Sequence, residues 1–259
     1  MEYFEKLDAP QTDLSWNIPE QKQGTVNIIG GNSQNFRTEI KIAEFLTSSY
    51  PIQALNVVLP DALKTKLPPL PNLLFLSSTD SGSLADGAEL TSAINRADAN
   101  LLLGDLSKNS VTSKVIASAC TSAEKPLLIT RDAVDLITEN ANDRMLMNEN
   151  LFFFASLPQL QKLFRAVYYP KMLLMSQSLI QVAEVLHKFT LSYPLSLVTL
   201  HDGQILIAKN GMVKAIELTK SGYSPMMFWN GELAAKILAL NLYNPHQFID
   251  ATITAITEE

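Results

Sequence analysis

The chain has 259 residues, of which 47% are apolar, and 26 acidic against 20 basic side chains give it a net charge of −6. That length and apolar content suit one large α/β core, and an acidic balance without a basic run argues against a nucleic-acid backbone as partner. The start has neither a basic segment nor an apolar one, no uninterrupted apolar stretch reaches membrane-spanning length, and one cysteine, Cys120, excludes an internal disulfide. The expectation is a soluble, cytoplasmic protein with Cys120 as core filler and no membrane partner.

In chain order, residues 1–23 mix Pro10, Pro19 and polar side chains without a period, and read as an arm laid over a single domain at 24–259. Val26-Asn27-Ile28-Ile29 is a β-rich run that ends in Gly30-Gly31, after which Ile40, Ala43, Phe45 and Leu46 recur at helical spacing. Ala54 to Leu59 and Asn72 to Ser77 are further strands, and Leu84 to Ala97 is helical. Ala99 to Asp105 is a buried strand, Thr112 to Ala123 a helix, and Pro126 to Thr130 a strand that leads into Asp132. This alternation predicts right-handed βαβ units and a parallel sheet covered on both faces.

Leu151 to Phe154 is a strand, Leu157 to Phe164 starts a helix, and Lys171 to Phe189 carries apolar residues at helical period. Leu195 to Leu200, Gln204 to Ala208 and Met212 to Glu217 are then separated by Asp202-Gly203 and Asn210-Gly211, dipeptides that favour tight hairpin turns because both positions tolerate positive φ. An antiparallel meander therefore follows the parallel units. Helices Leu233 to Leu242 and Gln247 to Ile256 close the chain.

No phosphate-binding P-loop, dinucleotide fingerprint or nucleophile elbow is present, and His187, His201 and His246 lack metal-ligand spacing, so no intrinsic metal site is expected. The most informative stretch is Phe228-Trp229-Asn230-Gly231-Glu232, a polar turn opening an apolar helix. Free N–H groups at a helix start favour an anion and a first-turn carboxylate can act as a base, although the same residues also make an ordinary helix cap. Gly30-Gly31 serve as a strand-to-helix turn or a ligand loop, Gly104-Asp105 end a central strand where open sheets bind ligands, and Asp132 reads as a helix cap. The run Met226-Met227-Phe228-Trp229 suits core packing or a contact between copies.

Several segments together resemble one family. Gly24-Thr25-Val26-Asn27-Ile28-Ile29-Gly30-Gly31-Asn32-Ser33, Leu55-Asn56-Val57-Val58-Leu59-Pro60-Asp61, Arg96 to Gly104 and Lys125-Pro126-Leu127-Leu128-Ile129-Thr130-Arg131-Asp132-Ala133-Val134-Asp135-Leu136 match, in order and spacing, the carbohydrate-kinase-type domain of the ADP- or ATP-dependent NAD(P)H-hydrate dehydratases, within the ribokinase-like superfamily. The resemblance extends from about Gly24 to Ile253. It implies a ribokinase-like three-layer sandwich, a mostly parallel central sheet with a C-terminal antiparallel meander and helices on both faces.

It also implies a reaction. The family's G-[ST]-G-D turn forms an anion hole and supplies the base, and Trp229-Asn230-Gly231-Glu232 stands in its place, so Glu232 takes the role of the Asp with one methylene more. ADP or ATP with Mg²⁺ would be the phosphate source and hydrated NAD(P)H the substrate, with Asn230, Gly231, His201, Gly104, Asp105, Asp132, Gly30 and Gly31 around the ligands. His201-Asp202 replaces the family's Lys-Gly, Ser156-Leu157-Pro158-Gln159 replaces its H-P-G-E, and Asp105-Leu106-Ser107-Lys108 follows Gly104 in place of its glycine-rich loop. Phe228 and Trp229 would crowd a backbone that should lie open to phosphate. Two other readings share the scaffold: a binding protein that has lost turnover, and a kinase for a small hydroxylated metabolite.

Overall fold

The computed structural model describes residues 2–7, 13–68, 70–218, 224 and 228–257. Among these, ten strands form one sheet in the order β1-β10-β9-β8-β7-β6-β5-β2-β3-β4. The strands are β1 (Phe4–Leu7), β2 (Gln23–Gly30), β3 (Ile52–Pro60), β4 (Leu73–Leu76), β5 (Ala99–Gly104), β6 (Leu127–Thr130), β7 (Leu151–Phe154), β8 (Ser196–His201), β9 (Gln204–Lys209) and β10 (Met212–Glu217). β9 runs antiparallel to β8 and β10, and every other pairing is parallel. Both hairpins turn where positive φ was expected, at Asp202 (47°) with Gly203 (70°) and Asn210 (49°) with Gly211 (78°).

The helices are α1 (Arg37–Ser49), α2 (Gly87–Arg96), α3 (Ser110–Ser122), α4 (Asp132–Thr138), α5 (Asp143–Leu146), α6 (Leu157–Ala166), α7 (Leu179–Ser192), α8 (Glu232–Tyr243) and α9 (Phe248–Thr257). Alternation along the strands divides the core. Val26, Ile28, Val57, Leu101 and Leu103 pack with α1, α8 and α9 on one face, whereas Ile29, Val58 and Leu102 pack with α2 to α7 on the other. Cys120 lies wholly buried in the second cluster, and burial pushes its thiol up to about 12. No helix among the described residues is long and apolar enough to cross a membrane.

Three expectations change in detail. The segment expected to lie over the domain adds an edge strand, because Phe4 to Leu7 pair in parallel with Val213 to Ile216 of β10. The helix expected from Lys171 begins at Leu179, where Ser178 and Gln181 form a reciprocal capping box. In α1 the buried stripe is Glu39, Ile42, Ala43 and Leu46, while Ile40 and Phe45, expected on that stripe, are half-exposed. Met226 and Met227 lie outside the described residues.

A ladder of amide side chains crosses the sheet. Asn56, Asn27 and Asn100 stand in register on β3, β2 and β5, and their amides join across the sheet: Asn56 Nδ2 donates to Asn27 Oδ1 (3.0 Å) and Asn27 Nδ2 to Asn100 Oδ1 (3.1 Å). Asn27 also donates to the Ala93 carbonyl (2.9 Å), and Asn100 to those of Ile94 (3.0 Å) and Pro126 (3.3 Å), so the ladder ties the last turn of α2 to the sheet. Asn100→Leu keeps the volume but removes three bonds at a fully buried position. Its expected cost is about 2–3 kcal/mol, read as a lower urea midpoint with an unchanged m value.

Candidate functional site

The carboxyl ends of β2, β5 and β6 lie side by side, the edge at which open parallel sheets bind ligands. β2 ends at Gly30, where the register with β5 shifts so that Gly30 faces Gly104. A Cβ at Gly30 would lie 2.4 Å from Glu39 Oε1 and 2.5 Å from the Gly104 carbonyl oxygen, so only glycine lets α1 and β5 close over this point. Gly31 then donates its N–H to the Gly104 oxygen (2.8 Å), joining the two strand ends.

Beyond Gly104, Asp105 and Arg131 form an ion pair at 3.0 Å, and both hold positive φ, 54° and 55°, without being glycine. Such a conformation costs about 1–3 kcal/mol per residue and persists only where the surroundings enforce it. They do so here. Asp132 Oδ1 accepts from the Asp105 N–H (2.9 Å), Asn32 Nδ2 donates to the Asp105 carbonyl (2.6 Å), Thr38 Oγ1 donates to Asp105 Oδ2 (2.7 Å), and Gln159 Nε2 donates to the Arg131 carbonyl (2.8 Å). Gln159 belongs to the Ser156 capping box of α6, so the cap of that helix also braces Arg131. Asp132 is the first residue of α4 and the cap position is Arg131, so Asp132 does not cap the helix but turns its carboxylate to Asp105.

A depression of about 440 Å³ opens above this pair, lined among others by Asn35, Arg37, Thr38, Asp105 and Arg131. Arg131 Nη1 is buried and has no hydrogen-bond partner among the described residues. Glu39 lies behind it, fully buried, and neither carboxylate oxygen has a hydrogen-bond partner in another described residue. Burial pushes the Glu39 carboxyl from 4.5 up to about 8; its own backbone N–H and Arg131 oppose the rise, while Asp105 and Asp132 add to it. At neutral pH Glu39 therefore holds its proton.

The helix-opening turn arrives at the same edge. Gly231 is left-handed (φ 100°) at the N-cap of α8, and a Cβ there would lie 2.7 Å from Leu103 Cδ1 and 3.9 Å from Arg131 Cδ. Having no side chain, Gly231 leaves the first-turn N–H groups of Leu233 and Ala234 without a side-chain cap, but Asn230 Oδ1 already accepts from the Glu232 N–H (2.8 Å). Phe228 is buried against Phe154 (ring centroids 4.8 Å) and Trp229 meets Phe154 edge-on (5.4 Å), so both rings pack at the end of β7.

Gly30, Gly31, Gly104, Asp105, Asp132 and the Asn230-Gly231-Glu232 turn thus share one edge of the molecule. His201 ends β8, three strands from β5 or roughly 14 Å, and its buried ring meets the Gln177 carbonyl through Nε2 (2.7 Å). Thr38, Glu39 and Arg131 were not singled out from the sequence. The available signals were a carboxylate three residues before Ile42 on the buried stripe of α1 and a cation directly after a wholly buried strand. Among the described residues no three His, Cys, Asp or Glu side chains converge as metal ligands.

No protein-family model matches the sequence, and no curated protein matches it. Solved structures do. The chain resembles a ribokinase-like superfamily protein from Enterococcus faecalis V583 at 16% identity and a TM-score of 0.66, over 99% of this chain and 86% of that one. It resembles the ADP/ATP-dependent NAD(P)H-hydrate dehydratase from Bacillus subtilis, co-crystallised with ATP/Mg²⁺ and soaked with CoA, at 12% identity and a TM-score of 0.58, over 92% and 81% of the two chains. An ADP complex of Bacillus subtilis pyridoxal kinase matches at 13% identity and 0.53, over 90% and 89%. These likenesses establish a ribokinase-like α/β fold, the architecture expected from the order of the elements.

Proposed function

We propose that the protein binds a nucleotide at the carboxyl edge of its sheet and transfers a phosphoryl group to a small hydroxylated molecule, hydrated NAD(P)H being the candidate acceptor. One observation carries this reading: the start of α8, with left-handed Gly231 at its cap, stands over the end of β5 beside Arg131, whose Nη1 has no partner among the described residues. A helix start and an adjacent guanidinium together favour a phosphate group. The similarity to a structure co-crystallised with ATP/Mg²⁺ and to an ADP complex supports the same ligand class.

In this scheme Arg131 and the Leu233 and Ala234 N–H groups hold the transferred phosphoryl group. Glu232, on the first turn of α8, takes the proton of the acceptor hydroxyl as the new O–P bond forms and the bond to the nucleotide breaks. With hydrated NAD(P)H, C–O cleavage then releases inorganic phosphate while the adjacent ring carbon gives a proton to solvent, and the C=C bond that forms restores the reduced nicotinamide. The described side chains do not form a metal cage, so Mg²⁺ would enter on the nucleotide's own phosphates, and no step is assigned to it.

A specific observation favours a second reading. Asn230 Oδ1 occupies the Glu232 N–H, an amide that a phosphate oxygen would otherwise take, which suits a protein that binds nucleotide without turning it over. Calorimetry with ADP and ATP, alongside recovery of reduced-nicotinamide absorbance from hydrated NADH, separates the two. Arg131→Met is expected to weaken nucleotide binding about tenfold or more, and Glu232→Gln to leave binding intact while lowering turnover about 100-fold. Binding without turnover selects the second reading. Absence of binding by either nucleotide overturns both.

A further inference from the structure

We infer that a second small-molecule site, for a nucleoside monophosphate or a ligand of equivalent chemistry, lies in the cleft between α2 and the β3–β4 edge of the sheet. This cleft has a volume of about 610 Å³, within the range of small-molecule pockets, and shares no lining residue with the depression above Asp105 and Arg131. Leu74, Leu76 and Ala93 line it together with Asn27, Asn56, Glu89 and the exposed Arg96.

The hydrogen-bond polarity at Asn56 follows from the ladder. The Ile94 and Pro126 carbonyls only accept, so Asn100 turns Nδ2 to them and Oδ1 to Asn27. Asn27 must therefore offer Nδ2, whose second hydrogen meets the Ala93 carbonyl, and this leaves Asn27 Oδ1 to accept from Asn56. Asn56 spends one hydrogen there. Its Oδ1 and remaining N–H have no partner among the described residues, and both belong to a half-buried side chain that lines the cleft.

Asn27 and Asn100 are explained by the α2 carbonyls they satisfy, but Asn56 satisfies none of them. It places a polar amide at a β position where asparagine is disfavoured, and what it offers is an adjacent acceptor and donor of fixed orientation. That pair matches the edge of a nucleobase, which presents an N–H beside a carbonyl or ring nitrogen. Apolar walls suit the faces of a flat ring. Arg96 is exposed on α2, its side chain makes no hydrogen bond or ion pair among the described residues, and it supplies a cation for a phosphate one sugar away from the base.

The test uses the full chain carrying Arg131→Met, so that nucleotide held at the other edge does not contribute, with UMP, uridine and inorganic phosphate as probes followed by amide and side-chain NMR shifts. Saturable shifts are expected at the Asn56 side chain and around Ala93 with UMP, with uridine binding about tenfold more weakly. Arg96→Ala should lower UMP affinity about tenfold and leave uridine unchanged; Asn56→Leu, equal in volume, should weaken both about tenfold. Thermal melting of each variant checks that it is folded, and Asn56→Gln, which keeps the amide but displaces it, serves if Asn56→Leu is not. Absence of saturable shifts at Asn56 at millimolar UMP, shifts confined to Gly104 and Gly231, or a UMP affinity within about twofold of the parent in either variant overturns the inference.

Discussion

Glu39→Gln is expected to stabilise the protein by about 3 kcal/mol near neutral pH and to remove most of a pH dependence that the native chain shows on the alkaline side of 4.5. The carboxyl has its ordinary value of 4.5 in the unfolded chain and is pushed up to about 8 in the folded one, first by burial. The folded state therefore keeps a proton that the unfolded state releases. This group's contribution is whole below 4.5, falls as pH rises towards about 8, and levels off above it, a total of about 5 kcal/mol. Glutamine has the same shape and no charge to desolvate, so the fall disappears. The charged groups that act on Glu39 are Asp105, Arg131 and Asp132. Urea midpoints measured across this range for both proteins should diverge as pH rises. Parallel curves would show that Glu39 is not protonated in the fold.

Gly104→Ala should cost about 4 kcal/mol, combining two independent penalties. Gly104 has φ of 118°, which an L side chain rarely adopts, and its new Cβ would lie 2.1 Å from Asp132 Oδ1. That oxygen accepts from the Asp105 N–H and so holds the strained Asp105–Arg131 pair, which must move to make room. The double variant with Asp132→Ala relieves the contact but not the backbone strain. It should therefore be less destabilised than the two single variants added together, by about 1–2 kcal/mol. A Gly104→Ala loss below about 1 kcal/mol in denaturant unfolding would mean that the loop accommodates a side chain and that the strand end is not held as described.

Much of the frame was readable in order along the chain. Apolar runs such as Leu101-Leu102-Leu103 and Leu127-Leu128-Ile129 mark strands buried on both faces, and Asp202-Gly203 and Asn210-Gly211 mark hairpins, because these signals depend on residues within a few positions of each other. Where local patterns compete, the reading slipped: apolar residues in 171–178 mimic a helix that the Ser178 capping box starts later, and Phe4 to Leu7 are too few to announce a strand that exists by pairing with β10. The site divides in the same way. Gly30 and Gly104 were singled out because they end strands and Asp132 because it follows one closely, whereas Glu39 looked like one more polar residue on a helix.

By itself the sequence determined which segments become strands and helices, and therefore which loops reach the carboxyl edge of a parallel sheet, because periods of 2 and 3.6 are written in neighbouring residues. Only the tertiary structure decided that Arg131 would pair with Asp105 under positive φ at both, that the start of α8 would settle beside it, and that Glu39 would be buried with its proton. Those outcomes depend on desolvation and on contacts between positions far apart in the chain. No local pattern encodes them.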